Sequence, residues 1–262
     1  MRKSKVLEKL RAGKIAWTTN VSAGPSPLVC GLAATLGFDG LWIDMEHRDF
    51  SYREVSSMIM ATREAGADAI VRPRRSGPDG LYRLLEFGAA GLIVPHCMGV
   101  EHAKTIVRNT RFAPVGLRGM ETVCVDGDYG TAAAKDFLAF ANRETFLILQ
   151  IEDKEAVAEV EGIAALDGVD GIFLGPADLS QSLGIPLEFS HPQMKAATER
   201  IAAAARRYGK AFAVTVGSVE AARPYIALGA RFVNVSADLI LLQNGWKAIR
   251  EQAQQASREL GL

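Results

Sequence analysis

Apolar residues in this chain fall into short β-rich runs, separated by longer stretches in which they recur every three or four positions. The runs are KIAWTTN (14–20), LWIDMEH (41–47), AIVRP (69–73), GLIVPHC (91–97), FLILQIE (146–152), GIFLGP (171–176), AFAVTV (211–216) and RFVNVS (231–236), eight in all. Between them, REVSSMIMATREAG, LYRLLEFG, VEHAKTIVRN, KEAVAEVEGIAAL, MKAATERIAAAARRYG and VEAARPYIALG space their apolar positions as one face of a helix does. Strands alternating with helices of this length predict right-handed βαβ units and a parallel sheet. Eight such units in 262 residues predict the α/β class: a single (β/α)8 TIM barrel, one domain over 1–262. An open doubly wound sheet is the competitor, yet no strand runs into the G-x-G-x-x-G turn of a dinucleotide site. Residues 112–145 interrupt the rhythm and predict a rim loop carrying a helix of its own. The final helix, about 239–260, has Leu241, Trp246 and Ile249 on one apolar face. It either closes its own barrel or packs on a neighbouring subunit.

Composition narrows the partners. Apolar residues make up 48% of the chain and charged residues 23%, enough for a large core and too ordinary for disorder. Lys and Arg number 30 and Asp and Glu 30, so no chain-wide field draws nucleic acid or anionic lipid. No apolar run approaches the ~20 residues of a membrane span, and the charged start MRKSKVLEKLRAGK lacks the shape of a secretory signal. Cys30, Cys97 and Cys124 are odd in number and widely spaced, which suits reduced thiols. These features predict a cytoplasmic, soluble protein with neither nucleic acid nor membrane as partner.

In a parallel barrel all strands bring their C-terminal ends to one rim, where the active site lies. Strand two ends in Asp44-Met45-Glu46-His47, strand three in Arg72-Pro73, strand five in Gln150-Ile151-Glu152, and strand six runs into Gly175-Pro176-Ala177-Asp178. Alternation along a strand turns Leu41, Ile43 and Met45 to the helices, and Asp44 and Glu46 inward; it likewise turns Gln150 and Glu152 inward. Carboxylates inside a barrel need a cation. Arg72 on the adjacent strand is one candidate and a metal ion is the other. Glu152 and Asp178 end consecutive strands roughly 4.8 Å apart, and a pair of oxygen donors without Cys or His suits Mg²⁺ or Mn²⁺ better than zinc. Taken alone, these acids fit an ion-pair network as well as a metal site.

Three stretches change that balance. GFDGLWIDMEH, VRP and LQIEDKEAV…GVDGIFLGPADLSQSLGIP resemble the HpcH/HpaI family of divalent-metal-dependent pyruvate aldolases, of the 4-hydroxy-2-oxoheptanedioate and 2-keto-3-deoxy-glucarate type, and ALGARFVNVSADLILL is a looser match. The resemblance implies a class II aldolase that reversibly cleaves a 4-hydroxy-2-oxo acid to pyruvate, or a close analogue, and an aldehyde through a metal-stabilised enolate. It implies Glu152 and Asp178 as ligands of Mg²⁺ or Mn²⁺, with Co²⁺ also accepted. It sets Arg72 against the keto or enolate oxygen, His47 as acid/base near the aldehyde, Asp44 on metal-bound water and Gln150 along the pyruvate pocket. The backbone of Gly175, Ala177 and Asp178, at a helix start, would receive the carboxylate. A homo-oligomer, a hexamer by family habit, is implied as well, and in it Glu86 of LYRLLEFG would reach the histidine of a neighbour; where the family has aspartate, this chain has glutamate.

The residue types suit that chemistry. Chelation of a ketone and carboxylate withdraws charge from the adjacent carbon, a fixed guanidinium meets the negative charge that develops, and imidazole exchanges protons near neutrality. A Schiff-base route needs a lysine at a strand end. Lys14 and Lys210 begin strands and Lys154 opens a helix, so none qualifies. Trp17 is placed as a wall of the pocket, His96 of PHCMG reads as hydrogen-bonded structure, and residues 112–130 are where choice of aldehyde is expected to lie. Two other readings keep the barrel. One is a lyase of malyl- or citramalyl-type acyl-CoA thioesters, or an oxo-acid decarboxylase; the other is a non-catalytic oxo-acid-binding protein.

Overall fold

A computed structural model describes residues 1–75 and 80–262. Eight parallel strands, β1 (Ala16–Val21), β2 (Gly40–Asp44), β3 (Asp68–Arg72), β4 (Gly91–Val94), β5 (Phe146–Ile151), β6 (Gly171–Leu174), β7 (Ala211–Val216) and β8 (Ala230–Ala237), close on themselves in sequence order. The helices are α1 (Lys5–Arg11), α2 (Pro27–Thr35), α3 (Tyr52–Glu64), α4 (Leu81–Glu86), α5 (Val100–Thr110), α6 (Ala134–Glu144), α7 (Lys154–Ala164), α8 (Pro176–Ser182), α9 (Pro192–Arg207), α10 (Val219–Ala227) and α11 (Asp238–Glu259). The eight strands forecast from apolar runs all form, and the barrel is the expected one.

Strand alternation divides the apolar residues into two cores. Leu41, Ile43, Met45, Val71, Leu149 and Ile151 join the layer between strands and helices. Trp42, Ile70, Ile148, Phe146, Phe173 and Phe232 fill the interior, where the rings meet edge to face, Trp42 and Phe173 at 5.4 Å between centroids. Each such side chain stabilises the fold by roughly 1.5–3 kcal/mol through removal from water. The helix α1 closes the N-terminal end of the barrel. Val6 and Leu7 pack into the interior cluster, and Ser4, which caps the helix, donates to Asp68 at 2.6 Å, as does the Val6 amide at 2.9 Å. The opposite end, to which Asp44, Arg72 and Ile151 lead, carries the polar residues.

One feature differs from the pattern-based picture. Residues 112–145 do form a helix, α6, whose Phe137 and Ala141 pack against Phe112. They do not form a loop on the C-terminal rim. Arg111 anchors the segment to the carbonyls of Gly168 and Thr145 (both 2.9 Å), which precede β6 and β5, and Val125 donates to the carbonyl of Glu86 at 3.1 Å. The amino group of Met1 pairs with Asp128. The insertion therefore lies along the outer wall and the N-terminal end, and within one chain it is not placed to select an aldehyde. None of the residues of the final helix, α11, is buried within the chain. No helix among the described residues is long and apolar enough to cross a membrane.

Candidate active site

Parallel pairing of β2 with β3 sets Asp44 beside Arg72 at the strand ends, both turned inward. The guanidinium forks onto the carboxylate: Nε donates to Oδ1 at 2.8 Å and Nη2 to Oδ2 at 2.7 Å. Its face stacks over Trp42, 4.8 Å from the ring centroid. Burial works to raise the Asp44 pKa, but the Arg72 hydrogen bonds and charge outweigh it and hold the carboxyl below its ordinary value. Burial would lower the Arg72 pKa, and Asp44, Glu46 and Glu152 more than offset that, so Arg72 is raised. The third nitrogen, Nη1, lies 3.1 Å from Glu46 Oε2. That is a contact of charges without an aligned hydrogen bond, because both Glu46 carboxylate oxygens are buried and meet no donor.

Glu152, just past β5, is buried at 2% exposure. Its Oε1 accepts from Gln150 Nε2 at 3.2 Å and its Oε2 from the backbone amide of His96 at 2.8 Å. Among the described residues its one salt-bridge partner is His96, and no arginine or lysine pairs with it. Burial, with Glu46 and Asp178 adding repulsion against the opposing pull of His96, pushes its carboxyl up to about 7. The chain makes room for it at Gly175, where a Cβ would stand 2.3 Å from Glu152 Cγ and 2.4 Å from Oε1. That glycine precedes α8, whose first turn carries Asp178. One ligand atom each from His96, Glu152 and Asp178 lie within 4.8 Å of one another. Gln150 Oε1, buried in the same wall, also has no donor.

A divalent cation suits this arrangement. Two carboxylates and an imidazole converge, and buried acceptors around them lack hydrogen-bond donors, as donors awaiting a cation would. His47 follows β2 on the rim with its side chain 56% exposed, its Nε2 3.7 Å from Glu46 Oε2. The amides of Ala177 and Asp178 open α8 ahead of its own ladder, which begins with Leu179 N–H to Gly175 C=O at 3.1 Å.

Several expectations need correction. Trp17 does not wall the pocket: it is the second residue of β1 and packs into the helix-side core, one position out of phase with inward-facing Ala16. Asp44, expected on metal-bound water, also has a partner the pattern did not pair with it: it accepts both arms of the Arg72 fork, with the Glu46 amide adding a bond of 3.0 Å to Oδ1. Glu86, at the end of α4, lies near Arg118, Glu121 and Asp126, and burial raises its carboxyl pKa; within the chain it is not paired with His47. His96, read as plain structure, joins the acid cluster. Glu46, inward-facing in the sequence pattern but given no role, contributes the two undonated oxygens. The only signals for either were strand phase and position at a strand end.

The sequence pattern of the HpcH/HpaI aldolase/citrate lyase family matches residues 21–245. A 4-hydroxy-2-oxo-heptane-1,7-dioate aldolase of Salmonella paratyphi A is 34% identical over 218 residues, 83% of this chain and 82% of its own. The crystal structure of an HpcH/HpaI aldolase from Desulfitobacterium hafniense DCB-2 superposes with a TM-score of 0.88 at 27% identity, covering 96% of each chain. That of the citrate synthase SbnG does so with a TM-score of 0.87 at 28% identity, covering 98% of this chain and 99% of the other.

Proposed function

The chain belongs to the HpcH/HpaI aldolase/citrate lyase family and is a carbon–carbon lyase, and on that premise we propose that it is a metal-dependent class II aldolase cleaving a 4-hydroxy-2-oxo acid into pyruvate, or a close analogue, and an aldehyde. The observation that carries this is the meeting of Glu152, Asp178 and His96 beside Arg72 at one mouth of the barrel. Glu152 and Asp178 would hold Mg²⁺ or Mn²⁺. When bound, the ion supplies Lewis acidity to the ketone and carboxylate of the oxo acid.

The chain's own groups do the rest. Asp44 holds the Arg72 guanidinium fixed at the strand end, a positive charge beside the place where negative charge on the keto oxygen develops. Gln150 fixes Glu152 and lines the oxo-acid pocket. The amides of Ala177 and Asp178 receive the substrate carboxylate, as free N–H groups at a helix start do. His47 takes the proton of the C4 hydroxyl; the C3–C4 bond breaks, the aldehyde leaves, the electron pair passes to C3, and a proton returned there completes pyruvate. Release of pyruvate from a panel of 4-hydroxy-2-oxo acids, followed with and without chelator, tests the reading. Glu152→Gln and Asp178→Asn should each reduce both divalent-ion affinity and cleavage by more than 100-fold, on the order of the loss expected for a directly coordinating group. Retention of ion affinity in both variants would overturn the assignment.

The likeness to a citrate synthase supports a second reading in which the same enolate chemistry serves another partner, an acyl thioester or a longer oxo acid. Failure to release pyruvate from any hydroxy-oxo acid, alongside ion-dependent exchange of pyruvate methyl protons in heavy water, would favour it. The exposed apolar face of α11 supports a homo-oligomer in which a neighbour's copy of Glu86 approaches His47.

A further inference from the structure

The oxygen-only ion site foreseen from the sequence leaves His96 without a task, and its geometry is not that of a bystander. Its φ is 48°, in the left-handed region that residues other than glycine seldom adopt. This places the His96 amide on Glu152 Oε2 at 2.8 Å while the ring enters the acid cluster. Nδ1 lies 3.4 Å from Asp153 Oδ2. A carboxylate can only accept, so this neighbour keeps the proton on Nδ1 and leaves the lone pair on Nε2, the arrangement in which an outer carboxylate orients a metal-binding histidine.

Nε2 in turn faces Glu46 Oε1 at 3.6 Å and Glu152 Oε2 at 3.8 Å. Both distances are long for hydrogen bonds, whose range is about 2.7–3.2 Å. They are near the separation of donors sharing an ion, since ligand atoms about 2.0–2.2 Å from one cation stand about 3–3.6 Å from each other. A second observation at the cluster is Glu46, whose side chain is 5% exposed: Arg72 Nη1 stands 3.1 Å from its Oε2 without an aligned hydrogen bond, and its Oε1, on the His96 side, meets no donor.

Resting on the metal-site reading above, we infer that His96 coordinates the ion through Nε2 as a third protein ligand, and that this nitrogen adds more to the chain's affinity for Co²⁺ than to its affinity for Mg²⁺. Magnesium takes oxygen donors in near-octahedral geometry, whereas imidazole strengthens binding of later divalent ions.

The test is calorimetric titration of the full chain, freed of metal, with MgCl₂ and with CoCl₂, alongside the visible absorption of the Co²⁺-loaded protein. His96→Asn is the variant of choice because asparagine tolerates positive φ and keeps the backbone donor to Glu152. It should weaken Co²⁺ by about 10-fold or more, weaken Mg²⁺ by less than about 3-fold, and shift the Co²⁺ bands. Asp153→Asn, at a side chain 32% exposed and so of little risk to folding, should weaken Co²⁺ in the same direction by less. Equal losses for the two ions, or unchanged Co²⁺ bands in both variants, would show that His96 is a charge partner of Glu46 and Glu152 and overturn the inference. Glu152→Gln separates the two levels. If it abolishes binding of both ions while His96→Asn changes nothing, only the third ligand fails; if it leaves both ions bound, the metal site fails and the inference with it.

Discussion

Asp44 and Arg72 form a buried pair whose value depends on both members. The Asp44 carboxyl titrates below its ordinary value in the folded chain, so it binds fewer protons there than when unfolded. Its stabilisation is therefore complete above the unfolded pKa, near 3.9, and is lost as pH falls through the lower folded value. Asp44→Asn should lower stability by about 3–5 kcal/mol at neutral pH, because Arg72 is left charged and buried without its partner. The variant should also flatten the acid arm of a plot of denaturation midpoint against pH; an unchanged arm would place the acid sensitivity elsewhere. Glu152 titrates in the opposite sense, with a carboxyl pushed up to about 7. Protons then compete with the ion, and ion affinity of the metal-free protein should fall steadily below pH 7 in titrations at fixed ionic strength. Gly175→Ala addresses the space that Glu152 occupies. Its Cβ would overlap Cγ and Oε1 of Glu152, so ion affinity should drop at least tenfold while the midpoint shifts by only the ~1–3 kcal/mol typical of overpacking.

The elements that could be read in the sequence are those whose polar and apolar positions alternate clearly. Strand phase alone separates Asp44 and Glu46 from Leu41, Ile43 and Met45, and the two cores are divided along that line. The helix α3 announces itself by a capping box, Ser51 with Glu54. The helix α2 does not: PLVCGLAAT is apolar all round, and Leu28 and Leu32 are 81% and 59% exposed, so no face stands out. At Trp17 the same phase rule points the indole to the helix layer, opposite to Ala16. His96 was beyond the rule's reach, because β4 ends at Val94 and His96 itself has a positive φ, so the ring's direction no longer follows from alternation. The long 112–145 segment carries no period that distinguishes the rim from the outer wall.

At the scale of the molecule, the helix α11 leaves an account open. Leu241, Leu242, Trp246 and Ile249 border a groove of about 430 Å³ with Leu32, Leu36 and Phe38, and Trp246 and Ile249 are 66% and 64% exposed. An apolar surface of this kind is characteristic of an interface. A doubly substituted chain, Trp246→Asp with Ile249→Asp, should run as a smaller species in light scattering while keeping its barrel by circular dichroism; an unchanged mass would assign the groove another occupant. Asp238, which accepts the amides of Ser22 and Ala23 at 2.9 and 3.0 Å, is untouched by that change.

The plug of α1 beneath Trp42 and Phe146 makes the barrel a vessel with a single opening. Reactant enters and both fragments depart through the same doorway, so the piece seated deepest, next to Glu152 and Arg72, is the last one out. Pyruvate should then inhibit cleavage competitively against the hydroxy-oxo acid, and the aldehyde should inhibit non-competitively, a pattern that steady-state product-inhibition kinetics would reveal.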